Sequence, residues 1–352
     1  LKNSIYFKGL NGLRAIAALS VVISHVGLSL NEFNLMPLAT IDLAGFGVTI
    51  FFSLSGFLIT YLLLQEKSTG SVNIKHFYMR RILRIWPLYF LVLFASIFTL
   101  YAFYPSTVYN SLPYYFLLMA NVPFILNISL PLLGHYWSLG VEEQFYLFWP
   151  WLIKKTSNVF RVVLIFSIII FMLRLFSRYI DYKYHEPLLY QIIHVTRFDC
   201  MSIGALGAIL YFQKHKPFLR FATNYITQII SWLVIILLAL NKFHLASVID
   251  HEIIAIITVF LILNVSSNDN SIINLENVFF SFIGKISYGI YVIHPIVIYY
   301  FAKIINKIEV PNNLKYPLAY IGVLSVTVLF SFLSYEYFEK YFLKMKNKFN
   351  KT

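Results

Sequence analysis

Apolar runs separated by short polar segments fill this chain from near its beginning to near its end. A helix of roughly 20 apolar residues matches the hydrocarbon thickness of a bilayer, so runs of that length are read as membrane spans. The pattern predicts spans at 10–30, 45–64, 85–104, 136–153, 162–177, 197–212, 226–240, 252–265, 279–305 and 316–337. No Asp, Glu, Lys or Arg occurs from Ile85 to Val141, which leaves a further apolar segment at 114–126. That segment is short and carries Pro123, so it is expected to be re-entrant or interfacial. The expected fold is all-α: a polytopic membrane protein of about ten transmembrane helices around a polar cavity. Residues 1–352 form one domain in this reading, with spans inside 10–337 and a short basic tail at 338–352.

Composition agrees, with 59% of residues hydrophobic and only 12% charged, which leaves no room for a hidden soluble domain. The formal net charge of +13 raises the question of nucleic acid. The basic residues instead gather in loops next to the spans, where anionic lipid is the partner, and no soluble basic domain exists. Lys2, Lys8, Lys67, Lys75, Arg80, Arg81, Arg84, Lys154, Lys155, Arg161, Lys214, Lys216, Arg220 and the tail Lys344 to Lys351 fall on one side of a ten-span arrangement. Basic loops stay in the cytoplasm, so both termini are expected there; Lys303, Lys307 and Lys315 fall outside and are outnumbered. Lys2 and Lys8 before an apolar run imitate a signal peptide, but no small-residue cleavage site follows and Arg14 interrupts the run. A retained helix is expected. Cys200, the single cysteine, reads as a small buried hydrophobe. No metal site and no permanently bound cofactor are expected.

Arg14 and His25 carry the clearest chemistry. Eleven helical residues turn roughly 20° past three full turns and rise about 16 Å, so the two side chains share a face at different depths. Charged and titratable groups inside a span are expensive, and a shared face suggests a shared cavity. The expected topology sorts the other polar groups into two poles. Toward the cytoplasm lie Arg14, Arg80, Arg81, Arg84 and Lys285; toward the outside lie His25, His135, Glu142, Glu143, Arg197, Asp199 and His294. Arg81 and Arg84 are three residues apart on a helix, a spacing that suits phosphates, and a cationic site of this kind suits a phosphorylated donor such as coenzyme A. An imidazole such as His25 removes a proton from a hydroxyl or accepts an acyl group itself. Glu143, at the rim of a span, pairs with a cation or tunes a histidine. Trp137 and its neighbouring tyrosines fit an aromatic belt as well as a site, and Arg197 and Asp199 fit a mutual ion pair as well as a site. Ser53 and Ser55 beside Gly56 read as helix-packing residues rather than as a nucleophile elbow.

Leu10-Asn-Gly-Leu-Arg14-Ala-Ile-Ala-Ala-Leu, followed by His25, resembles the opening of the integral-membrane acyltransferase-3 family. Phe52-Ser-Leu-Ser-Gly-Phe-Leu-Ile59, Arg81-Ile-Leu-Arg84-Ile-Trp-Pro-Leu-Tyr89 and His135-Tyr-Trp-Ser-Leu-Gly-Val-Glu-Glu-Gln-Phe-Tyr146 are similar to its next three motifs. Arg197-Phe-Asp199 with Gly204-Ala-Leu-Gly207, and Ile286-Ser-Tyr-Gly-Ile-Tyr-Val-Ile-His294-Pro295, complete the set in family order. The resemblance implies an O-acyltransferase of the bacterial inner membrane. It would move an acyl group, commonly acetyl, from cytoplasmic acyl-coenzyme A to a hydroxyl of an extracytoplasmic polysaccharide or lipid-linked glycan. By carry-over Arg14 and His25 form the catalytic pair and Arg81 and Arg84, with Arg14, bind the donor. Glu143 is assigned to tuning His25; Trp137, Arg197, Asp199 and His294 are assigned to substrate binding. Some relatives carry a C-terminal hydrolase-like domain, so a separate extracytoplasmic partner protein is a further expectation. The rival reading from another class is a flippase for a lipid-linked sugar, although no inverted halves with paired broken helices stand out.

Overall fold

The computed structural model describes residues 7–37, 43–104 and 109–349; Lys2 and Lys351 of the charge pattern lie outside them. Among the described residues there is no strand. The long elements of the first half are α1 (Leu10–Leu28), α2 (Leu43–Thr69) and α3 (Ile74–Phe103). Two five-residue helices follow, α4 (Leu112–Phe116) and α5 (Asn121–Ile125), then α6 (Trp137–Lys155) and α7 (Val159–Tyr184). The second half contains α8 (Pro187–Thr196), α9 (Phe198–Phe212), α10 (Lys216–Ala222), α11 (Tyr225–Ala239) and α12 (Asp250–Ser267). It ends with α13 (Val278–Lys285), α14 (Ser287–Ile305), α15 (Asn312–Pro317), α16 (Val323–Ser334) and α17 (Lys340–Lys346).

Eight helical stretches are long and apolar enough to cross a membrane, and α10 with α11, bent by 53°, supplies a ninth if the pair is one span. The remaining expected span is α6, which has the length for a crossing but carries Glu142, Glu143, Lys154 and Lys155. The all-α polytopic architecture is therefore present. Several boundaries differ from expectation. Asn73 caps α3 by accepting from the His76 N–H at 3.0 Å, so the helix starts eleven residues before the expected position and contains Arg80, Arg81 and Arg84. A break at Ile286 divides the expected ninth span into α13 and α14. The last crossing runs continuously over Asn313–Lys346, 34 residues, so the expected basic tail is largely helix. Segment 114–126 folds as the two short helices α4 and α5, which bind α6 through a reciprocal amide pair between Asn121 and Gln144 at 2.7 and 3.2 Å. It does not reach the length of a crossing.

Two features fix the frame around the site. The backbones of α2 and α9 touch: a Cβ on Gly56 would lie 1.9 Å from the Met201 carbonyl oxygen, and one on Gly204 2.1 Å from that of Ser53. Ser53 also donates its hydroxyl to the Ala255 carbonyl at 3.0 Å, so Ser53 and Gly56 are packing residues. The second feature is a buried ionic brace. Arg174 on α7 is fully buried and pairs with Asp199 on α9 at 2.8 Å and with Glu252 on α12. Asp199 also accepts from the Cys200 N–H at 2.8 Å. In a low-dielectric interior such a set holds three helices in one register, because removing any member strands the others.

Candidate active site

A cavity of about 310 Å³ lies between α1, α2, α3, α6 and α14. Its polar lining comes from regular helical stripes. Asn11 and Arg14 sit three residues apart on α1, Arg81 and Arg84 three apart on α3, and Ser138, Glu142 and Tyr146 four apart on α6. Arg14 donates to the Asn11 side-chain carbonyl at 3.3 Å. The Arg81 guanidinium lies 5.7 Å from the Phe77 ring centroid and 5.5 Å from that of Tyr146, with its Nε buried and unpartnered. Glu142 is the carboxylate in the lining: it accepts from the Ser55 hydroxyl at 2.8 Å, and Ser55 meets the Tyr146 hydroxyl at 2.9 Å. Three guanidinium groups thus face one carboxylate, an arrangement that attracts a polyanion.

Ser138 and Tyr291 also belong to the polar lining. Their hydroxyls are 2.5 Å apart, and the Tyr291 hydroxyl donates to the His135 carbonyl at 2.8 Å. Behind Tyr291 lie three histidines. His25 Nδ1 is 2.6 Å from His294 Nε2, with the rings stacked 4.9 Å apart, and the His135 ring lies 5.2 Å from that of His294. The partners of His294 fix the tautomers. His294 Nδ1 is 2.7 Å from the Tyr291 carbonyl oxygen and 3.2 Å from that of Ile290, and a carbonyl only accepts, so Nδ1 bears the proton. In the neutral ring Nε2 is then an acceptor, His25 donates to it from Nδ1, and the basic lone pair of His25 sits on Nε2.

Arg14, Arg81 and Arg84 therefore come together around one cavity. His25 and His294 come together outside its lining, next to Tyr291. The cavity expected to be shared by Arg14 and His25 has Arg14 in its lining but not His25. Glu143 is not in the lining either; it accepts from the Trp86 indole N–H at 3.0 Å, and its other oxygen is buried without a partner. The position next to His25 expected for Glu143 is held by His294. The division into two poles also changes: Glu142, expected on the outer side, lies among the arginines. Arg80 bonds Glu66 and the Phe349 carbonyl, and Lys285 lies 4.8 Å from the Tyr335 ring, so neither lines the cavity.

Arg197 and Trp137 form a separate contact, the guanidinium 5.3 Å from the indole ring. Arg197 also donates to the Gly45 carbonyl at 2.8 Å and to Thr49 at 3.1 Å, and it occupies a left-handed backbone position, φ 43°, between α8 and α9. Asp199 does not pair with Arg197, because Arg174 takes it. Sequence reasoning passed over Arg174 and Tyr291, placed Glu142 at the outer pole and read Ser55 as a packing residue, whereas Glu142 and Ser55 both line the cavity. A lone arginine inside an apolar run marked Arg174, and the Ser138, Glu142, Tyr146 spacing marked Glu142.

The chain matches the acyltransferase-3 family profile, an acyltransferase domain, over residues 7–336. It belongs to this family of multi-pass membrane acyltransferases. A Staphylococcus aureus (strain COL) protein, provisionally named an O-acetyltransferase, is 30% identical over 97% of this chain and 58% of its own length. The peptidoglycan O-acetyltransferase OatA of Listeria monocytogenes is 34% identical over 41% of this chain and 24% of its own length. The chain thus spans less than two thirds of the length of these relatives. No solved structure matches it.

Proposed function

We propose that this chain transfers an acyl group, acetyl in the simplest case, from acyl-coenzyme A at the cytoplasmic face to a hydroxyl of an extracytoplasmic cell-surface polysaccharide or lipid-linked glycan. The observation that carries this reading is the hydrogen-bonded His25–His294 pair, joined through the Tyr291 carbonyl to a cavity lined by three arginines. The family and the O-acetyltransferase names of its relatives support the reaction type. The basic residues at the Arg84 end support a cytoplasmic donor side, both termini in the cytoplasm and a place in the bacterial inner membrane.

A cavity of about 310 Å³ is at the small end of ligand sites, large enough for an acylated thiol arm but not for the nucleotide as well. Arg14, Arg81 and Arg84 hold the donor phosphates, and the arm lies along the apolar wall of Phe51, Leu54 and Leu58. Rotation of the Tyr291 and Ser138 hydroxyls away from each other opens the way to His25. The acceptor hydroxyl oxygen then attacks the thioester carbonyl while His25 Nε2 takes its proton. The new C–O bond forms, the C–S bond breaks, and the proton passes to the departing thiolate. His294, by accepting from His25 Nδ1, orients the ring and stabilises its protonated form. The same Nε2 lone pair also serves a two-step route through an acyl-histidine, and mass spectrometry of enzyme quenched without acceptor separates the routes.

Membranes containing the protein, incubated with radiolabelled acetyl-coenzyme A, are expected to accumulate alkali-labile label on glycan. Label that stays entirely on coenzyme A overturns the reading and leaves a flippase, which does not consume the donor.

A further inference from the structure

The last helix returns a charge to the donor site. It runs without interruption to Lys346 and packs α17 against α3. Two contacts clip its end in place. Arg80 donates to the Phe349 carbonyl at 3.0 Å while its other side engages Glu66, and the Phe349 ring meets the His76 ring edge-on at 5.6 Å. This arrangement half-buries Lys346 and puts its ammonium within electrostatic reach of Arg84, Arg81, Arg80 and Arg14. Lys346 makes no hydrogen bond or ion pair among the described residues. A lysine free to snorkel to a membrane surface normally avoids a cluster of like charge. Here the clip at Phe349 holds it there.

The surrounding charges show what the cluster lacks. Arg80 is neutralised by Glu66. The carboxylates near the other cations are Glu142, occupied by Ser55, Glu143, which accepts from the Trp86 indole and lies near Arg81, and Glu339, which accepts from the Ser334 hydroxyl at 3.1 Å and faces Arg84. Arg14, Arg81, Arg84 and Lys346 therefore outnumber the carboxylates four to three. The donor in the proposed function is polarised: its acylated arm is uncharged and its phosphates carry the negative charge.

We propose that Lys346, held against α3 by the Arg80–Phe349 clip, is a further donor-binding residue that contacts the phosphates of acyl-coenzyme A. The inference rests on the donor assignment above. It makes the last turns of the chain a strap across the donor site, so that the nucleotide end of the donor is gripped from α3 on one side and from α17 on the other. The anionic headgroup of a lipid offers the same chemistry, and the experiment is arranged to tell the two sources apart.

The test uses the full chain purified in detergent free of anionic lipid, with coenzyme A and the phosphate-free acetyl-pantetheine as probes, by calorimetry. Lys346→Met keeps most of the apolar stem and is expected to weaken coenzyme A binding about tenfold, as expected for loss of one charge-assisted phosphate contact. Binding of acetyl-pantetheine is expected to stay the same. Lys346→Arg is expected to restore coenzyme A affinity to within about threefold, which a purely structural defect does not predict. Equal coenzyme A affinity for Lys346→Met and the parent overturns the inference and leaves the acyltransferase reading intact. An effect that emerges only in phosphatidylglycerol nanodiscs also overturns it, since the lysine is then a lipid anchor. Failure of the parent protein to bind coenzyme A at all overturns the donor assignment itself.

Discussion

Two groups of arginine in this protein differ in how their charge is met. In the brace, Arg174 is enclosed by Asp199 and Glu252. In the cavity, Arg14, Arg81 and Arg84 share Glu142, which is already engaged by Ser55. A buried charge that is fully paired holds a fold together, and its loss is structural. A set of cations left in excess around a void is built for something that arrives from outside. Burial runs the same way: Arg174 is fully buried, whereas Arg14, Arg81 and Arg84 are partly exposed in the cavity lining.

The largest effect that distinguishes them is on stability. Asp199→Ala removes the partner of Arg174 across the α7–α9 contact, leaves Glu252 on α12 alone with it, and is expected to destabilise the protein by about 3–5 kcal/mol. Thermal unfolding in detergent measures this; an unchanged midpoint shows that the brace is dispensable. Next comes the histidine pair beside Tyr291. His294→Ala removes the acceptor that orients His25 and is expected to lower turnover about a hundredfold with donor KM little changed. A rise in KM alone assigns His294 to substrate binding instead. Arg84→Met, in the unpaired group, is expected to raise the donor KM about tenfold with little change in melting temperature, the reverse of the brace variant. A large drop in stability places Arg84 with the structural arginines. The smallest effect separates neighbouring carboxylates. Glu143→Gln, whose partner is the Trp86 indole outside the cavity, is expected to change donor KM by less than about threefold, while Glu142→Gln removes the one carboxylate in the lining and tightens donor binding. Steady-state kinetics on the two variants side by side reverses the assignment if Glu143 proves the stronger.

The sequence carried much of this arrangement. Apolar run lengths placed most of the helices, and the Arg14 and Arg81/Arg84 spacings named the cations that meet around the cavity. His25 and His294 were both singled out, although on different duties. What stayed hidden depended on tertiary phase. Glu142 and Glu143 are adjacent and point about 100° apart on a helix, so only the neighbouring helices decide which one faces the void. The Tyr291–Ser138 hydrogen bond joins α6 to α14 across 153 positions of sequence, and no local pattern announces such a contact. Lys346 was assigned to a short basic tail after residue 337, whereas the helix continues to it with Glu336 and Lys340 paired along its surface.

The central claim is that donor binding and chemistry occupy consecutive sites, the first lined by arginines and the second by His25. Measuring coenzyme A affinity and acetyl transfer on the same purified His25→Ala protein tests it directly. The account predicts affinity within about twofold of the parent and transfer reduced by about a thousandfold. Transfer at the parent rate, or loss of coenzyme A binding together with transfer, contradicts it.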